Sequence, residues 1–391
     1  MTIASMEKDT PSVSRASPLY DPVIRGIAFQ IVLAILIFYV IYSGLSNAAT
    51  NLARAGIASG FDFLDQRAGF DIGQTLIPYT NNSTYQRAFF VGLTNTLFVA
   101  AIGIVIATVL GFIVGIARLS KNFLVRKIAT VYVETLRNIP LLLQLLFWYK
   151  AVLATLPAPR GSITAFNEAV FLNNRGLILP QWLPEPGAGI FYGSIAFGIV
   201  ASILVSRWAT KRQMATGQRF PTFRTVLALV VGLPLVVFFL MGTPFTTEYP
   251  ELQGFNFVGG VSVRPEFMAL LLGLALYTAA FIAEIVRAGI LAVSKGQTEA
   301  AYSLGIKPNH TMRLVIIPPL TSQYLNLTKN SSLAVAVGYP DLVSVFSGTV
   351  LNQTGQAVEV ISITMLVYLT LSLLTSAFMN WFNSRVALVE R

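Results

Sequence analysis

Hydrophobic residues occur in long runs, and polar segments separate one run from the next. Four of the runs, 26–53, 88–117, 225–247 and 360–384, contain no charged residue. A helix needs roughly 20 residues to cross the hydrocarbon core of a bilayer, which is about 30 Å thick. The pattern therefore predicts an all-α, polytopic membrane helix bundle.

The runs predict about eight transmembrane helices. These cover roughly 26–45, 88–117, 131–153, 190–206, 225–242, 267–288, 314–337 and 358–382. The third and seventh are the least regular. The third contains Pro140 and Gln144 besides three charged residues, and the seventh contains Pro318, Pro319 and Lys329. Neighbouring helices must satisfy these groups, which favours a packed bundle over isolated helices.

Composition agrees with a membrane location and excludes several kinds of chemistry. Of the 391 residues, 54% are hydrophobic and only 11% are charged, whereas a soluble domain carries about a quarter charged residues. The chain has no cysteine and one histidine, His310. Disulfides, thiolate sites and His-rich metal sites are therefore excluded, and we expect neither a metal nor a cofactor.

The positive charges indicate how the helices cross the membrane. With the N-terminus in the cytoplasm, 18 of the 27 lysines and arginines fall in inner segments and seven in outer segments. The positive-inside rule then places both termini in the cytoplasm. The net charge of +10 is thus a topological signal, and we expect lipid contacts and no nucleic-acid partner.

A short polar segment between the sixth and seventh spans has the signals of a helix with defined ends. Thr298 can cap its N-terminus, and Glu299 suits the positive end of the helix dipole. Gly305 is suited to a left-handed terminating residue, and Pro308 can begin the next helix. About two turns lie between these signals, so the helix needs a partner surface.

Four residues of this segment fit docking into a groove. Ala300 and Ala301 permit close backbone approach, and Tyr302 and Leu304 offer side chains to bury. The alternative interpretation is an ordinary capped turn that links two membrane helices.

The segment also resembles a known motif. Glu299-Ala-Ala, Gly305 and Ile316-Ile-Pro318 resemble the EAA loop of bacterial ABC-transporter permeases. Other stretches resemble the core of the polar amino-acid permease family, in its order and spacing: Gly92–Leu97, Gly111, Gly115, Arg118–Ser120, Tyr132–Gln144, Phe281–Gly289, Lys329–Leu333 and Gly338–Leu342.

The resemblance divides the chain into segments. Residues 1–85 contain an accessory span and an outer segment, and 86–385 form the permease domain. Within that domain, 86–155 and 263–385 resemble the five-helix core, and 156–262 is an insertion with two further spans. A short tail, 386–391, follows. The longer permeases of the general L-amino-acid importer are the most similar subfamily.

The resemblance implies a membrane-spanning permease subunit of an ATP-driven, binding-protein-dependent importer of L-amino acids in the bacterial inner membrane. The implied partners are ABC ATPase subunits, a second permease subunit that is a paralogue in this subfamily, and a periplasmic amino-acid-binding protein. The resemblance also implies a transport subunit that binds no ATP and is not an enzyme, and the lack of any Gly-Lys pair of a phosphate-binding loop agrees with this. The implied ATPase-coupling helix comprises Thr298, Glu299, Ala300, Ala301, Leu304 and Gly305.

Charged and polar side chains inside spans are candidates for the substrate path, because burying them in a bilayer is costly. The candidates are Lys329, Asn330, Glu284, Arg287 and Gln144. The alternative for Glu284 and Arg287, and likewise for Glu134 and Arg137, is a structural ion pair, because each pair is spaced i, i+3 on one helix face.

Two other classes of protein stay open. An ATPase-independent secondary transporter or channel for small polar solutes would need none of the implied ATPase partners, although the lack of an internal repeat disfavours folds built from repeated halves. An integral-membrane enzyme is disfavoured, because the chain has no cysteine, one histidine and no paired carboxylates on one face of a span. The motifs do not specify which amino acids are carried.

Overall fold

The computed structural model of the protein describes residues 22–54, 56, 60–292, 296, 303 and 308–386. Helices form most of this part. The α-helices are α1 Pro22–Arg54, α2 Tyr85–Ala117, α3 Phe123–Asn138, α4 Leu141–Leu146, α5 Ala188–Thr216, α6 Thr222–Leu227, α7 Leu233–Leu240, α8 Pro265–Ala292, α9 Pro308–Asn330, α10 Leu351–Thr354 and α11 Ala357–Val386. The π-helical segments are Phe147–Leu153, Ala228–Gly232 and Val343–Val350, and the 3-10 segments are Asp62–Asp65, Pro159–Gly161 and Ser331–Val337.

Six helical stretches in the described part of the chain are long and apolar enough to cross a membrane. They are Ile24–Ala48, Tyr85–Ala117, Ala188–Thr216, Thr222–Leu240, Pro265–Ala292 and Ala357–Ser384. The helical membrane fold is confirmed, but the predicted count of eight is not. The difference falls on the two spans that the sequence marks as least regular, 131–153 and 314–337.

The third predicted span is broken where the sequence contains Asn138-Ile-Pro140. Pro140 has no backbone N–H and disfavours the α conformation at the preceding residue. Ile139 accordingly takes an extended conformation, with φ −96° and ψ 128°. The seventh predicted span changes from α-helix to 3-10 helix after Asn330. Both irregularities arise inside the bundle rather than in loops.

Helices α2 and α8 run parallel through the centre of the bundle and pack closely. A β-carbon at Gly111 would lie 2.5 Å from Cγ2 of Ile282, and one at Gly115 would lie 2.8 Å from the carbonyl oxygen of Ala283. Only glycine fits at these two positions without a shift of α8. Small residues spaced four apart are a common way to bring membrane helices together.

Helix α9 runs antiparallel to α2 and completes the buried core. Leu327 packs at Gly103, and the hydroxyl of Thr108 donates a hydrogen bond to the hydroxyl of Tyr324 at 3.1 Å. After α9 the chain continues along the first turns of α2, and α11 then packs on α9 and on the π-helical segment 343–350.

The insertion contains eight short strands, which the hydropathy pattern did not predict. They are β1 Ile163–Ala165, β2 Val170–Asn173, β3 Gly176–Leu179, β4 Gln181–Pro184, β5 Phe245–Glu248, β6 Glu251–Gln253, β7 Asn256–Val258 and β8 Val261–Val263. All pairings are antiparallel, in the order β1-β2-β3-β8, with β4-β5 and β6-β7 as separate pairs.

The two long helical stretches of the insertion, Ala188–Thr216 and Thr222–Leu240, form a hairpin. Gly198 of α5 lies against the carbonyl of Leu229, so the two arms touch through backbone atoms. Near the strands, Phe191 contacts Phe238 and Phe245 edge to face. Helix α1, by contrast, buries none of its apolar 18-residue stretch against the rest of the described chain.

Candidate functional site

Five charged side chains from three helices meet near the end of α2. At their centre is Glu284 of α8, whose carboxylate accepts hydrogen bonds from Arg287 (Nη2 to Oε1, 2.6 Å) and from Arg118. Nη1 of Arg137, on α3, lies 3.8 Å from Oε2 of Glu284. One carboxylate therefore links α2, α3 and α8.

This arrangement answers the question that helical spacing left open. Glu284 and Arg287 form the ion pair expected for an i, i+3 spacing. Glu134 and Arg137 do not pair with each other in the described structure. Instead, Oε1 of Glu134 accepts from Nη2 of Arg118 at 3.1 Å, and the Arg137 guanidinium lies over the Phe281 ring, 5.3 Å from its centroid.

Arg118 is the member of this cluster that the sequence did not assign. Its side chain is only 9% exposed, and it bonds to Glu284 and Glu134 at the same time. Its place at the C-terminal end of α2 was readable from the resemblance, but its partners lie on other helices. Spacing along one helix cannot identify such partners.

The predicted coupling helix lies outside the described residues. Thr298, Glu299, Ala300, Ala301, Leu304 and Gly305 belong to it. Helix α8 ends at Ala292, little more than one turn after Arg287, and α9 begins at Pro308. The ion-pair cluster thus lies at the end of the bundle to which this segment is attached.

Gln144, a substrate-path candidate, is committed to the backbone at the break before α4. Its side-chain Nε2 donates to the carbonyls of Leu136 (2.8 Å) and Ile139 (2.9 Å). These are carbonyls that the break around Pro140 deprives of helical partners. The side chain is buried, so the observed geometry is that of a structural clamp.

Lys329 and Asn330 lie in the last turn of α9. Lys329 is exposed and Asn330 is half-buried. Within the described residues, the Lys329 ammonium has no ion-pair partner. The exposed side chains one and two turns earlier are also polar, namely Asn326 and Ser322.

These residues form a polar face on α9, which we define as Ser322, Asn326 and Lys329. The spacing of four and three residues places all three on one side of a helix. An i, i+4, i+7 pattern of polar residues in the seventh span was readable from the sequence, although Ser322 and Asn326 were not selected there.

At the opposite end of the bundle, two stretches that resemble separate family motifs contact each other. The Tyr339 hydroxyl donates to the carbonyl of Asn95 at 3.2 Å, and the backbone N–H of Leu342 donates to Oγ1 of Thr96 at 3.0 Å. Nδ2 of Asn95 in turn donates to the carbonyls of Gln74 and Pro340. The loop after α9 is thereby fixed to α2.

Asp341 is the buried carboxylate of this loop. Its Oδ1 accepts from the N–H of Ser344 at 2.8 Å and its Oδ2 from the hydroxyl of Tyr368 at 3.3 Å. Burial raises the pKa of the Asp341 carboxyl to about 7, and the hydrogen bonds from Ser344 and Val343 oppose that rise. The residue caps the segment 343–350 and ties it to α11.

Comparison with known proteins identifies the family. The family described as "Binding-protein-dependent transport system inner membrane component" matches residues 194–388. The general L-amino acid transport system permease protein AapQ of Rhizobium johnstonii is 54% identical over 96% of this chain and 95% of the relative. The chain belongs to this family.

Two further relatives support the assignment. The putative amino-acid ABC transporter permease protein YhdX of Escherichia coli is 51% identical over 95% of this chain and 96% of the relative. The glutamate/glutamine/aspartate/asparagine transport system permease protein BztB of Rhodobacter capsulatus is 43% identical with the same coverage. The predicted resemblance is confirmed. The chain is a multi-pass inner-membrane component of a binding-protein-dependent transport system, not an enzyme.

Proposed function

We propose that this chain is the permease subunit of an ATP-driven importer that moves L-amino acids across the bacterial inner membrane, with both termini in the cytoplasm. The observation that carries the proposal is the 54% identity over nearly the whole of both chains to a relative named as a general L-amino acid permease protein. The substrate class is carried over from the names of the relatives.

The polar face of α9 supports a path for a polar solute. Charged side chains that face acyl chains inside a bilayer are costly and rare. Ser322, Asn326 and Lys329 therefore face water or another protein surface rather than acyl chains. A second permease subunit, a paralogue of this chain, placed against α9 would enclose a path between the two subunits.

Lys329 and Asn330 are the path residues we favour. The ammonium of Lys329 can attract an amino-acid carboxylate, and the carboxamide of Asn330 can donate to it or accept from an amino group. Glu284 and Arg287 already neutralise each other, and Gln144 holds the backbone, so we give these three residues structural roles.

The segment around 298–305 completes the proposed mechanism. Its two neighbours are α8, which carries the ion-pair cluster, and α9, which carries the polar face. Closure of two cytoplasmic ATPase subunits on this segment would move the ends of both helices. A periplasmic binding protein would supply the amino acid at the other end of the bundle.

A reconstituted complex tests the proposal. We expect the two permease subunits with ATPase subunits in proteoliposomes to take up a radiolabelled amino acid only when both ATP and the loaded binding protein are present. Uptake driven by an ion gradient with no ATP would instead establish the secondary transporter, and crosslinks from position 301 that never reach an ATPase would reject the coupling segment.

Gly305→Asp tests the coupling segment itself. The β-carbon and charge disfavour a left-handed terminating residue and a buried groove, so uptake and the ATPase stimulation by loaded binding protein should both be lost. Gly296→Asp is the matched control, because a β-carbon at Gly296 meets no described atom within 4 Å. Normal uptake by Gly305→Asp would reject the assignment.

Lys329→Met tests the path. Uptake of acidic amino acids should fall more than uptake of neutral ones, because the lost positive charge attracts the extra carboxylate, and Lys329→Arg should preserve the profile. An unchanged ratio of acidic to neutral uptake in Lys329→Met would remove this residue from the path.

A further inference from the structure

A cleft at the start of α8 contains charges of both signs. It has a volume of about 360 Å³ and is lined by residues of the β2–β3 turn, of β7 and β8, and of the start of α8. Its polar lining consists of Asn174, Arg175, Asn256, Ser262, Arg264 and Glu266. The cleft therefore joins the inserted sheet to a core helix.

The two arginines of the cleft have no counter-ion in the part of the chain that the structure describes. Among the described residues, no carboxylate forms an ion pair with Arg175 or Arg264. The Arg264 guanidinium lies against the backbone at Gly73, where a β-carbon would overlap it. It is thus placed by the segment before α2, with its N–H donors not used by any described acceptor.

The acid of the cleft is Glu266, which is half-buried. Its Oε1 accepts from the Tyr149 hydroxyl at 3.1 Å, whereas no described donor bonds to Oε2. Its Cγ lies 4.0 Å from the position of a β-carbon at Gly338, which is where the loop after α9 begins. The carboxylate therefore marks the side of the cleft nearest the core.

Guanidinium groups without carboxylate partners and a carboxylate with one free oxygen match the two charges of an α-amino acid. Arginine binds a carboxylate through two parallel N–H donors, and a carboxylate accepts from an ammonium. A volume of about 360 Å³ is also within the range of small-ligand sites.

We propose that this cleft is a receiving site that holds the α-carboxylate and α-ammonium of an amino acid before it enters the path along α9. This inference rests on the proposed function and on the orientation that places the strands on the periplasmic side of the membrane. Arg175 and Arg264 hold the carboxylate, and Glu266 holds the ammonium.

The test measures transport and docking separately in the complete reconstituted transporter, with radiolabelled L-glutamine supplied by its loaded binding protein. Arg264→Gln and Arg175→Gln should each lower the maximal uptake rate about tenfold, the effect of one lost charge-assisted hydrogen bond. The concentration of loaded binding protein that gives half-maximal uptake should stay unchanged, and so should the ATPase stimulation by that protein.

Arg160→Gln is the matched control, because this arginine lies in the neighbouring larger cleft and is already occupied. Its Nε donates to the carbonyl of Gly254 at 3.2 Å, and its guanidinium lies 4.1 Å from the centroid of the Phe255 ring. We expect unchanged uptake. Arg264→Lys, which keeps the charge, should recover part of the lost rate and so separates loss of charge from misfolding.

Two results would overturn the proposal. A higher half-maximal concentration of binding protein with an unchanged maximal rate would make the cleft a docking contact for that protein. Unchanged values of both quantities in Arg175→Gln and Arg264→Gln would make these residues ordinary solvated arginines. In either case, ATP-dependent uptake by the unmodified complex would leave the proposed function in place.

Discussion

Helices α8 and α1 have nearly the same hydropathy but opposite surroundings. The apolar 18-residue stretch of α8 has a mean hydropathy of 2.1, and 61% of it is buried inside the chain. The corresponding stretch of α1 has a mean hydropathy of 2.4, and 0% of it is buried. Hydropathy therefore predicts that a segment enters the membrane, and it does not predict what the segment touches there.

The difference lies in side-chain size and polarity. The face of α8 toward α2 contains Ala279, Ile282 and Ala283, all fully buried, and α2 offers Gly111 and Gly115 to them. Along α1, large side chains such as Phe29, Phe38 and Tyr39 are exposed. Because lipid chains are as apolar as leucine, close packing and polar pairs hold membrane helices together.

The largest effect should come from filling the seam between α2 and α8. Gly111→Leu and Gly115→Leu force the helices apart, and we expect each to destabilise the folded subunit by about 3 kcal/mol, the upper end of overpacking costs. Gly44→Leu in α1 should be neutral, because a β-carbon there meets nothing within 4 Å.

Thermal unfolding of purified subunits in detergent measures the difference. Equal losses for Gly44→Leu and Gly111→Leu would contradict the distinction between the two helices.

A smaller effect should follow from removing the carboxylate that joins three helices. Glu284→Gln leaves Arg118, with a side chain only 9% exposed, without its main counter-ion, and hydrogen bonds between charged groups are worth about 1.5–3 kcal/mol. Glu134→Gln should cost less than about 1 kcal/mol, because the Glu134 side chain is 54% exposed. The same unfolding assay ranks them, and a reversed order would place the centre of the cluster at Glu134.

Thr96→Val should cost about 1 kcal/mol, because the N–H of Leu342 loses its acceptor. Thr50→Val is the counterpart in α1, where the hydroxyl bonds only to the carbonyl of Ser46 in its own helix. Melting temperatures of the two variants compare a hydrogen bond between elements with one inside an exposed helix. No difference between them would mean that this contact adds nothing to the core.

The smallest effect should appear in the pH dependence of stability above pH 7, where most of the stability linked to protonation of Asp341 has already been lost. Because the pKa of Asp341 is raised to about 7, the folded state holds this proton more tightly than the unfolded state. The resulting stability is present at low pH and is lost as the pH rises through about 7. Melting temperatures should fall less with rising pH in Asp341→Asn than in the unmodified protein, and parallel curves would contradict the assignment.

The sequence predicted the spans well because hydropathy and length decide membrane insertion. The predicted spans 88–117 and 267–288 fall within α2 and α8, and the two spans marked as irregular contain the break before Pro140 and the change to 3-10 helix after Asn330. Pro140 supplied the signal for the break. The count of eight stays unconfirmed, because α9 is too polar to be recognised as a span by hydropathy.

Contacts between helices were beyond reach of the sequence pattern. The i, i+3 rule predicted the pair of Glu284 and Arg287. It also suggested Arg137 as the partner of Glu134, whereas the actual partner is Arg118, because Glu134 and Arg118 meet only when α2 and α3 pack together. The hydropathy pattern did not predict the strands of the insertion, because each strand has only three or four residues. The role of Gln144 likewise appears only when the backbone carbonyls it satisfies are known.

The pairing of β3 with β8 has a consequence for how this protein can be altered. Leu179 and Val261 lie opposite each other in adjacent strands, although the whole helical hairpin separates them along the chain. The pairing of β3 with β8 therefore holds the two ends of this insertion side by side, independently of the hairpin between them. We therefore expect that a short turn between these residues could replace the hairpin together with β4–β7, and that the length of this insertion can change without altering the packing of the core helices.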